Sequence, residues 1–338
     1  MLLSICIPNY NRGRYLNNCL NSILLAKSNS NMKFEVCISD NCSKDNILKI
    51  VKYYKKKGLK INYKRNNRNL GFGANFYKVV KMAKGEFIWL VGNDDLLYAN
   101  ALSKLEQLFN QNKDVDLYFI NSSNLKSDYV FKYKQPFNSK KIPKNLSNFS
   151  KLKKSYKTNF FNLINPSVSW DFMLAMFLTL YRRKQFVKNL KILDKKKLNE
   201  TGVWSTIDNT APHVKVFSHT FKYSKCYIQA KPLSVNLYGE KGWSNIYPFI
   251  MIIRIPEILD IYRKNGLQYY KYLKYKNYVL KKFIPYMFYI IKNKEISNYK
   301  HINFKANILK NIFYPNIYFF GFYYVIKKIY FKIFNFIK

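Results

Sequence analysis

The chain has 338 residues, 48% of them hydrophobic, with 59 Lys and Arg against 18 Asp and Glu and a formal net charge of +41. That apolar content builds a core and excludes a disordered tail. The charge directs attention to anionic partners, whether nucleic acid, a membrane surface or a phosphorylated small molecule. A second cause stands beside it. Lys, Asn, Ile, Tyr and Phe are over-used along the whole length, as A+T-rich coding would produce, and much of the charge is then a solvated lysine surface.

In chain order, "MLLSICIP" is too short for a secretory signal and reads as the first strand, Leu2 to Pro8. Tyr15, Leu16, Cys19, Leu20, Ile23 and Leu24 follow at helical spacing. Phe34 to Ser39 is a second strand, and Ile47, Ile50, Val51 and Tyr54 mark a second helix. "LKINYK" (59–64) is a third strand, and Phe76, Val79, Val80 and Ala83 form a third helical stripe. After Gly85 come strand "FIWLV" (87–91), a helix on Leu102, Leu105, Leu108 and Phe109, and strand "VDLYFIN". This alternation predicts an α/β fold, a doubly wound, mostly parallel sheet that binds ligands at the carboxyl ends of its strands.

Beyond Ser122 the pattern weakens into a Lys-, Asn- and Ser-rich stretch to about residue 165, and "FMLAMFLTLYRRKQF" (172–186) turns from apolar to basic. Past Cys226 the chain is basic and aromatic, with Glu257, Asp260 and Glu295 as the acids of residues 241–338. Residues 312–326 carry no charge but hold Pro315, Asn316 and Gly321, and fall short of the roughly 20 apolar residues that cross a bilayer. On a helix, Ile326, Ile329, Tyr330, Ile333, Phe336 and Ile337 share one face, while Lys327, Lys328, Lys332, Asn335 and Lys338 share the other. That is the pattern of a helix lying in an anionic membrane interface; the alternative is a helix packed on the body with its lysines outward. Cys6, Cys19, Cys37, Cys42 and Cys226 make no zinc-spaced cluster, and Cys6 and Cys37 read as buried thiols of a reducing cytoplasm.

Three strand tips carry polar groups that a doubly wound sheet brings to one crevice: Pro8-Asn9-Tyr10-Asn11-Arg12, Ser39-Asp40-Asn41-Cys42-Ser43-Lys44-Asp45 and Gly92-Asn93-Asp94-Asp95. Tyr10 can stack on a base and Asp40 can accept from a base or ribose. Adjacent carboxylates at a strand end are costly without positive charge, and a divalent cation bound to a diphosphate supplies it. The alternative for Asp94 and Asp95 is a helix N-cap. No phosphate-cradling glycine loop is present.

"LSICIPNYNRGRYLNNCLNSI", "FEVCISDNCSKDN" and "NNRNLGFGANFYKVVKMAKGEFIWLVGNDD" together resemble glycosyltransferase family 2, the inverting GT-A enzymes that use nucleotide-sugar donors. The Gly-Asn-Asp-Asp form resembles bacterial polysaccharide transferases related to abequosyltransferases. The resemblance implies that Pro8, Tyr10 and Arg12 shape the nucleotide pocket, Asp40 contacts the base, and Gly71 and Asn75 line the donor site. It further implies that Asp94 meets the ribose or donor sugar and that Asp95 binds Mg²⁺ or Mn²⁺. Asn93 stands where many members carry a further aspartate, and the family's downstream Glu-Asp pair is missing.

A general base must then come from elsewhere: Asp208 in "WSTIDNTAPHV" is the first choice and Asp171 in "SVSWDF" the second. His213 is a metal ligand, an acceptor contact or a structural histidine. The expectation is a metal-dependent inverting transferase with a GT-A domain over 1–225, its nucleotide-sugar half 1–125 and acceptor half 126–225, and a helical region 226–338. Its expected partners are a nucleoside-diphosphate sugar, a saccharide or lipid-linked acceptor of capsule, lipooligosaccharide or O-antigen, and the inner face of the cytoplasmic membrane. The rivals are a degraded GT-A scaffold and a nucleic-acid-binding protein, the latter without any recognition motif in the sequence.

Overall fold

The computed structural model describes residues 1–239 and 244–336, with side chains to residue 330. Contacts divide the chain into two units: Met1–Val203 with Asp208–Lys241, and Trp204–Ile207 with Gly242–Lys338.

The first unit is built on strands Leu3–Asn9 (β1), Phe34–Asp40 (β2), Ile61–Arg65 (β3) and Phe87–Leu90 (β4), alternating with helices Gly13–Lys27 (α1), Ile47–Lys56 (α2), Gly71–Met82 (α3) and Ala101–Gln111 (α4). All seven residues of β1 are buried, which is why it reads as an unbroken apolar run: a parallel strand is covered on both faces. The helices bury the stripes that their spacing predicts, Leu16, Cys19, Leu20 and Ile23 on α1 and Phe76, Val79 and Val80 on α3. Packing under β4 is aromatic. Phe87 stacks on Phe109 of α4 with ring centroids 4.4 Å apart, and Tyr118 meets both edge-on.

The sheet continues with Asp95–Leu97 (β5), Leu117–Lys126 (β6), Tyr156–Asn159 (β7), Thr179–Arg182 (β8) and Lys225–Tyr238 (β9). Its order is β3-β2-β1-β4-β8-β6-β9-β5, with β7 also on β9. The parallel β3-β2-β1-β4 half is the expected one. The other half is mixed, because β8 lies antiparallel between β4 and β6, its Leu180 opposite both Trp89 and Tyr118. An apolar run reports burial and not direction, so "FLTLYR" carries no signal that it separates β4 from β6.

Residue 225, the expected end of the domain, is instead the first residue of β9, which pairs with β5, β6 and β7. The boundary therefore shifts to the stretch after Tyr238.

The second unit is helical: Ile255–Lys264 (α6), Tyr269–Val279 (α7), Phe283–Lys292 (α8) and Pro315–Phe336 (α9), following the first unit's Pro212–Thr220 (α5). Ile252, Ile253, Ile258, Leu259, Tyr262 and Leu280 are fully buried in it. Arg254, 4% exposed, donates through Nε to Trp204 O (2.9 Å) and through Nη2 to Ser205 O (2.5 Å), and pairs with Glu257 (2.6 Å). Those bonds tie the 204–207 excursion into this unit. Lys276 is neutralised by Asp260 at 2.6 Å, as a buried ammonium requires.

On α9, Ile317 and Gly321 are buried, the latter tight against Ile284 of α8, whereas Phe319, Phe322, Tyr323, Ile326, Ile329 and Tyr330 are exposed. Lys327 and Lys328 are exposed as well, and the expected facial positions 332–338 lie beyond the described side chains. Among the described residues no helix is long and apolar enough to cross a membrane.

Candidate active site

The carboxyl ends of β1 and β2 interlock. Asn11 and Cys42, each the turning point of its tip, adopt left-handed φ of 48° and 65°. Ser43 Oγ accepts from Asn11 N at 2.9 Å, and Asn11 Oδ1 accepts from Lys44 N at 2.8 Å. Asp45 accepts from Gly13 N at 2.5 Å, placing a carboxylate at the N-terminus of α1, where the helix dipole favours it.

Asp40, 1% exposed, sits in the middle of this arrangement. One oxygen accepts from Ser43 N (3.1 Å), the other from Tyr63 OH (2.9 Å), and Arg65 Nε lies 3.7 Å away. Parallel register makes this possible, since Ile38 faces Tyr63 and Asp40 faces Arg65 across β2 and β3. Burial and the hydrogen bond to Asp40 push the Tyr63 phenol well above its ordinary range, so it remains a donor.

Asn75, on the first turns of α3, is 3% exposed and has both ends of its amide engaged. Oδ1 accepts from Ser39 Oγ (2.7 Å) and Asn66 Nδ2 (3.1 Å); Nδ2 donates to Ser39 O (3.0 Å) and Asn9 O (3.4 Å). It is a knot between β1, β2 and α3 behind the crevice rather than a group pointing into it. Gly71 and Gly73 let Glu200, Asp208 and Asn209 approach the same helix. A Cβ on Gly73 would meet Asn209 Cα at 2.8 Å and Asp208 O at 2.9 Å, and one on Gly71, already at φ 79°, would meet Glu200 O at 2.8 Å.

The two adjacent aspartates are set apart by burial. Asp95, 1% exposed, opens β5 opposite Asn236 and accepts from Gly92 N at 2.8 Å, while its own N–H reaches Gly92 O at 3.1 Å. Asp94 is half-buried at the tip, with Oδ1 2.7 Å from where a Cβ on Gly92 would lie. Asn93 donates to Asn9 Oδ1 at 2.8 Å, joining the β4 tip to that of β1. Beneath the turn, Cys19 Sγ contacts Gly92 O at 3.7 Å, and burial first, with the charges of Asp95 and Asp94, raises its pKa. Neither aspartate caps α4, whose N-cap is Asn100.

Among the described residues no three His, Cys, Asp or Glu side chains converge as a metal cluster. A hard cation held by one carboxylate and the oxygens of a diphosphate needs no such cluster, and the half-buried Asp94 fits that role.

The downstream candidates are buried. Asp208, 4% exposed, accepts from Asp194 N (2.8 Å) and pairs through both oxygens with Lys215 (3.0 and 3.2 Å). Asp171, 3% exposed, accepts from Ser169 Oγ and from Ala175 N (2.8 Å), beside Phe172 and Met173 at left-handed φ of 55° and 68°. Burial raises its pKa to about 6. His213 is packed between Phe76 and Phe217, with Nε2 2.9 Å from Leu174 O. Burial lowers its pKa to about 4, and its place is that of a neutral histidine in the aromatic core.

The structure thus brings Pro8, Asp40, Gly71, Asn75, Asn93, Asp94 and Asp95 to one end of the sheet, with Tyr10 42% exposed there and Arg12 over the Tyr15 ring at 5.1 Å. Sequence reasoning missed Tyr63, Arg65 and Asn66. The density of asparagines in "NYN", "DN" and "NNRN" was the available signal, since short amides serve tips where the chain turns.

A family model described as Glycosyl transferase family 2 matches residues 4–173. An abequosyltransferase of Salmonella typhimurium is 38% identical over 118 residues, 35% of this chain and 35% of that protein. A poly(ribitol-phosphate) beta-N-acetylglucosaminyltransferase of Staphylococcus aureus is 36% identical over 104 residues, 30% of this chain and 18% of that protein. The chain therefore spans about a third of the first relative's length and less of the second's. The solved structure of the staphylococcal protein's residues 1–349 with UDP-GlcNAc superposes with a TM-score of 0.57 at 16% identity, covering 94% of this chain and 78% of that one. A mannosyltransferase of Pyrobaculum calidifontis with GDP-Man and Mn²⁺ gives 0.51 at 12% identity, covering 94% and 82%. The two superpositions show the GT-A fold. On its strand-tip motifs, its sheet and the family model that spans half of it, the chain belongs to glycosyltransferase family 2.

Proposed function

We propose that the protein transfers a sugar from a nucleoside-diphosphate sugar to a saccharide acceptor, with inversion at the anomeric carbon. The observation that carries this reading is the cluster of polar strand tips in which Asp40 at the end of β2 and Asp94 after β4 flank the tip of β1 and are linked across it through Asn9, Ser43 and Asn93. The solved relatives, which hold UDP-GlcNAc or GDP-Man with Mn²⁺, support a donor of that class. Asp40, Tyr63 and Arg65 would read the base and ribose. Asp94, rather than the buried Asp95, would hold Mg²⁺ or Mn²⁺, which when bound neutralises the diphosphate. Asp95 then positions Asp94 by fastening the Gly92 turn.

The acceptor hydroxyl loses its proton to a carboxylate as it attacks the anomeric carbon and the nucleoside diphosphate leaves from the opposite face. Asp208 belongs to the segment that meets α3, but Lys215 occupies both its oxygens. Burial raises the pKa of Asp171 to about 6, which suits a base near neutral pH, and its oxygens are held by its own loop. Substitution separates them. With Asp171 as the base, transfer falls as pH drops through about 6 and Asp171→Asn abolishes it, whereas Asp208→Asn retains it.

The acceptor is proposed to be a lipid-linked saccharide of capsule, lipooligosaccharide or O-antigen, reached from the cytoplasmic face by a protein resting peripherally on the membrane. The exposed aromatic side chains of α9 with Lys327 and Lys328 support that placement. Titration of a panel of nucleotide sugars with and without Mn²⁺, read by thermal shift and donor hydrolysis, tests the function. One sugar nucleotide that stabilises and is hydrolysed only with Mn²⁺ is the expected result. A panel without any response sinks the enzyme reading and leaves a degraded scaffold.

A further inference from the structure

Away from the strand tips, the first unit holds a cleft of about 650 Å³ between residues 147–153 and the 230–232 corner of β9. Its polar lining is Lys151, Lys153, Lys231, Ser147, Asn148 and Ser150. Among the described residues none of these three lysines has a carboxylate partner, while Lys157 and Lys225 nearby in the chain both pair with Asp114. The cleft carries net positive charge that no part of the described chain neutralises.

Both of its walls hang from one buried amide. Asn121, fully buried at the bulge where β6 shifts register against β9, donates to Ser150 O (3.0 Å) and Ala230 O (2.7 Å). Its Oδ1 accepts from Ser150 N at 2.9 Å. Ser123 Oγ meets Asn148 Oδ1 at 3.0 Å, and Ser155 Oγ accepts from Ala230 N at 3.0 Å. Phe149, between two lining residues, stacks on Trp170 with centroids 5.6 Å apart. The lysines therefore stand on a pre-formed wall, and an entering anion meets donors without ordering the backbone first.

On β9 the cleft residues 230–232 lie in the register shift between Gln229 and Ser234, four to six residues before Asn236, the partner of Asp95. None of the strand-tip residues lines the cleft, which suits a group on the acceptor and not the donor diphosphate itself.

We propose that this cleft binds a phosphate or pyrophosphate group carried by the acceptor, an assignment that rests on the transferase reading above. The lysines act as charge-assisted donors to the phosphate oxygens, with Ser147, Asn148 and Ser150 supplying neutral contacts.

Isothermal titration of the full chain with inorganic pyrophosphate in EDTA, where the cation site contributes least, tests it. One site is expected, undisturbed by UDP and weakened at least tenfold in the Lys151→Ala/Lys153→Ala/Lys231→Ala variant. A Lys→Arg triple variant should retain it, which separates lost charge from a disturbed fold. Equal affinity in wild type and the alanine variant, or displacement by UDP, overturns the assignment. A short prenyl pyrophosphate in detergent identifies the source: tighter binding than inorganic pyrophosphate supports a lipid-linked group, and equal binding supports a phosphate on the saccharide. Donor hydrolysis by the same protein preparations, assayed separately with Mn²⁺ and without EDTA, keeps the two readings apart, because it remains intact when only the cleft assignment fails and is absent when the transferase reading fails.

Discussion

The crevice of the first unit and the last helix of the second treat side chains in opposite ways. At the strand tips Asn9 and Asp40 are 1% exposed and satisfied by neighbouring protein groups, whereas on α9 Phe319 and Phe322 are each 71% exposed. A ligand site needs polar groups held in place before the ligand arrives, and burying them in a mutual network does this at little entropic cost on binding. A row of exposed aromatic side chains does the reverse: it leaves apolar area in water that only a second surface can cover. One region is finished by folding, and the other is left incomplete by it.

The sharpest way to break this contrast is to open the crevice. Asp94→Ala should lower sugar transfer by about 1000-fold or more, the scale of losing a cation's hold on the diphosphate, while the thermal unfolding midpoint stays put. Asp95→Ala should instead lower unfolding stability by about 1–3 kcal/mol through the Gly92 turn it fastens. If Asp95→Ala silences transfer without touching stability, the division of labour between the two carboxylates is wrong.

Next comes the core beside the crevice. The folded-state pKa of His213 is depressed to about 4, so its contribution to stability is constant above the unfolded value near 6.5 and is lost as pH falls from there towards 4. The loss should reach about 3 kcal/mol, and His213→Phe, filling the space between Phe76 and Phe217, should flatten that limb of a pH-dependent denaturant series.

Gly73→Ala presses a methyl group onto the backbone of Asp208 and Asn209 and should cost roughly 1–3 kcal/mol in chemical denaturation. The smallest effect on stability belongs to the open region. Removing residues 315–338 should abolish sedimentation with anionic vesicles yet leave donor hydrolysis within about twofold of wild type. Vesicle binding that survives the truncation would move the membrane surface elsewhere.

Much of the first half of the chain was legible because parallel strands are buried on both faces and write themselves as apolar runs, as Leu3–Asn9 and Phe87–Leu90 do. The polar residues after those runs had to lie at one end of the sheet, so Asp40 and Asp94 could be placed together before any coordinates. Periodicity is silent on strand direction and on pairing at a distance. Hence no local pattern places β8 between β4 and β6 or shows that β9 belongs to the sheet. The equal standing of Asp94 and Asp95 in the sequence hid a difference in burial that arises from β5 pairing with β9.

By itself the sequence determined the family, the α/β alternation and the set of polar tips, since each follows from motifs and periodicities read along the chain. Tertiary structure decided how those polar groups are placed for a ligand: Asn75 is consumed by the protein, Asp95 is buried with one oxygen on Gly92 N, Asp208 is held by Lys215, and three lysines without a carboxylate partner among the described residues line a cleft pinned by Asn121. The physical reason is that a hydrogen bond or an ion pair between distant segments depends on register and packing, which no local pattern encodes.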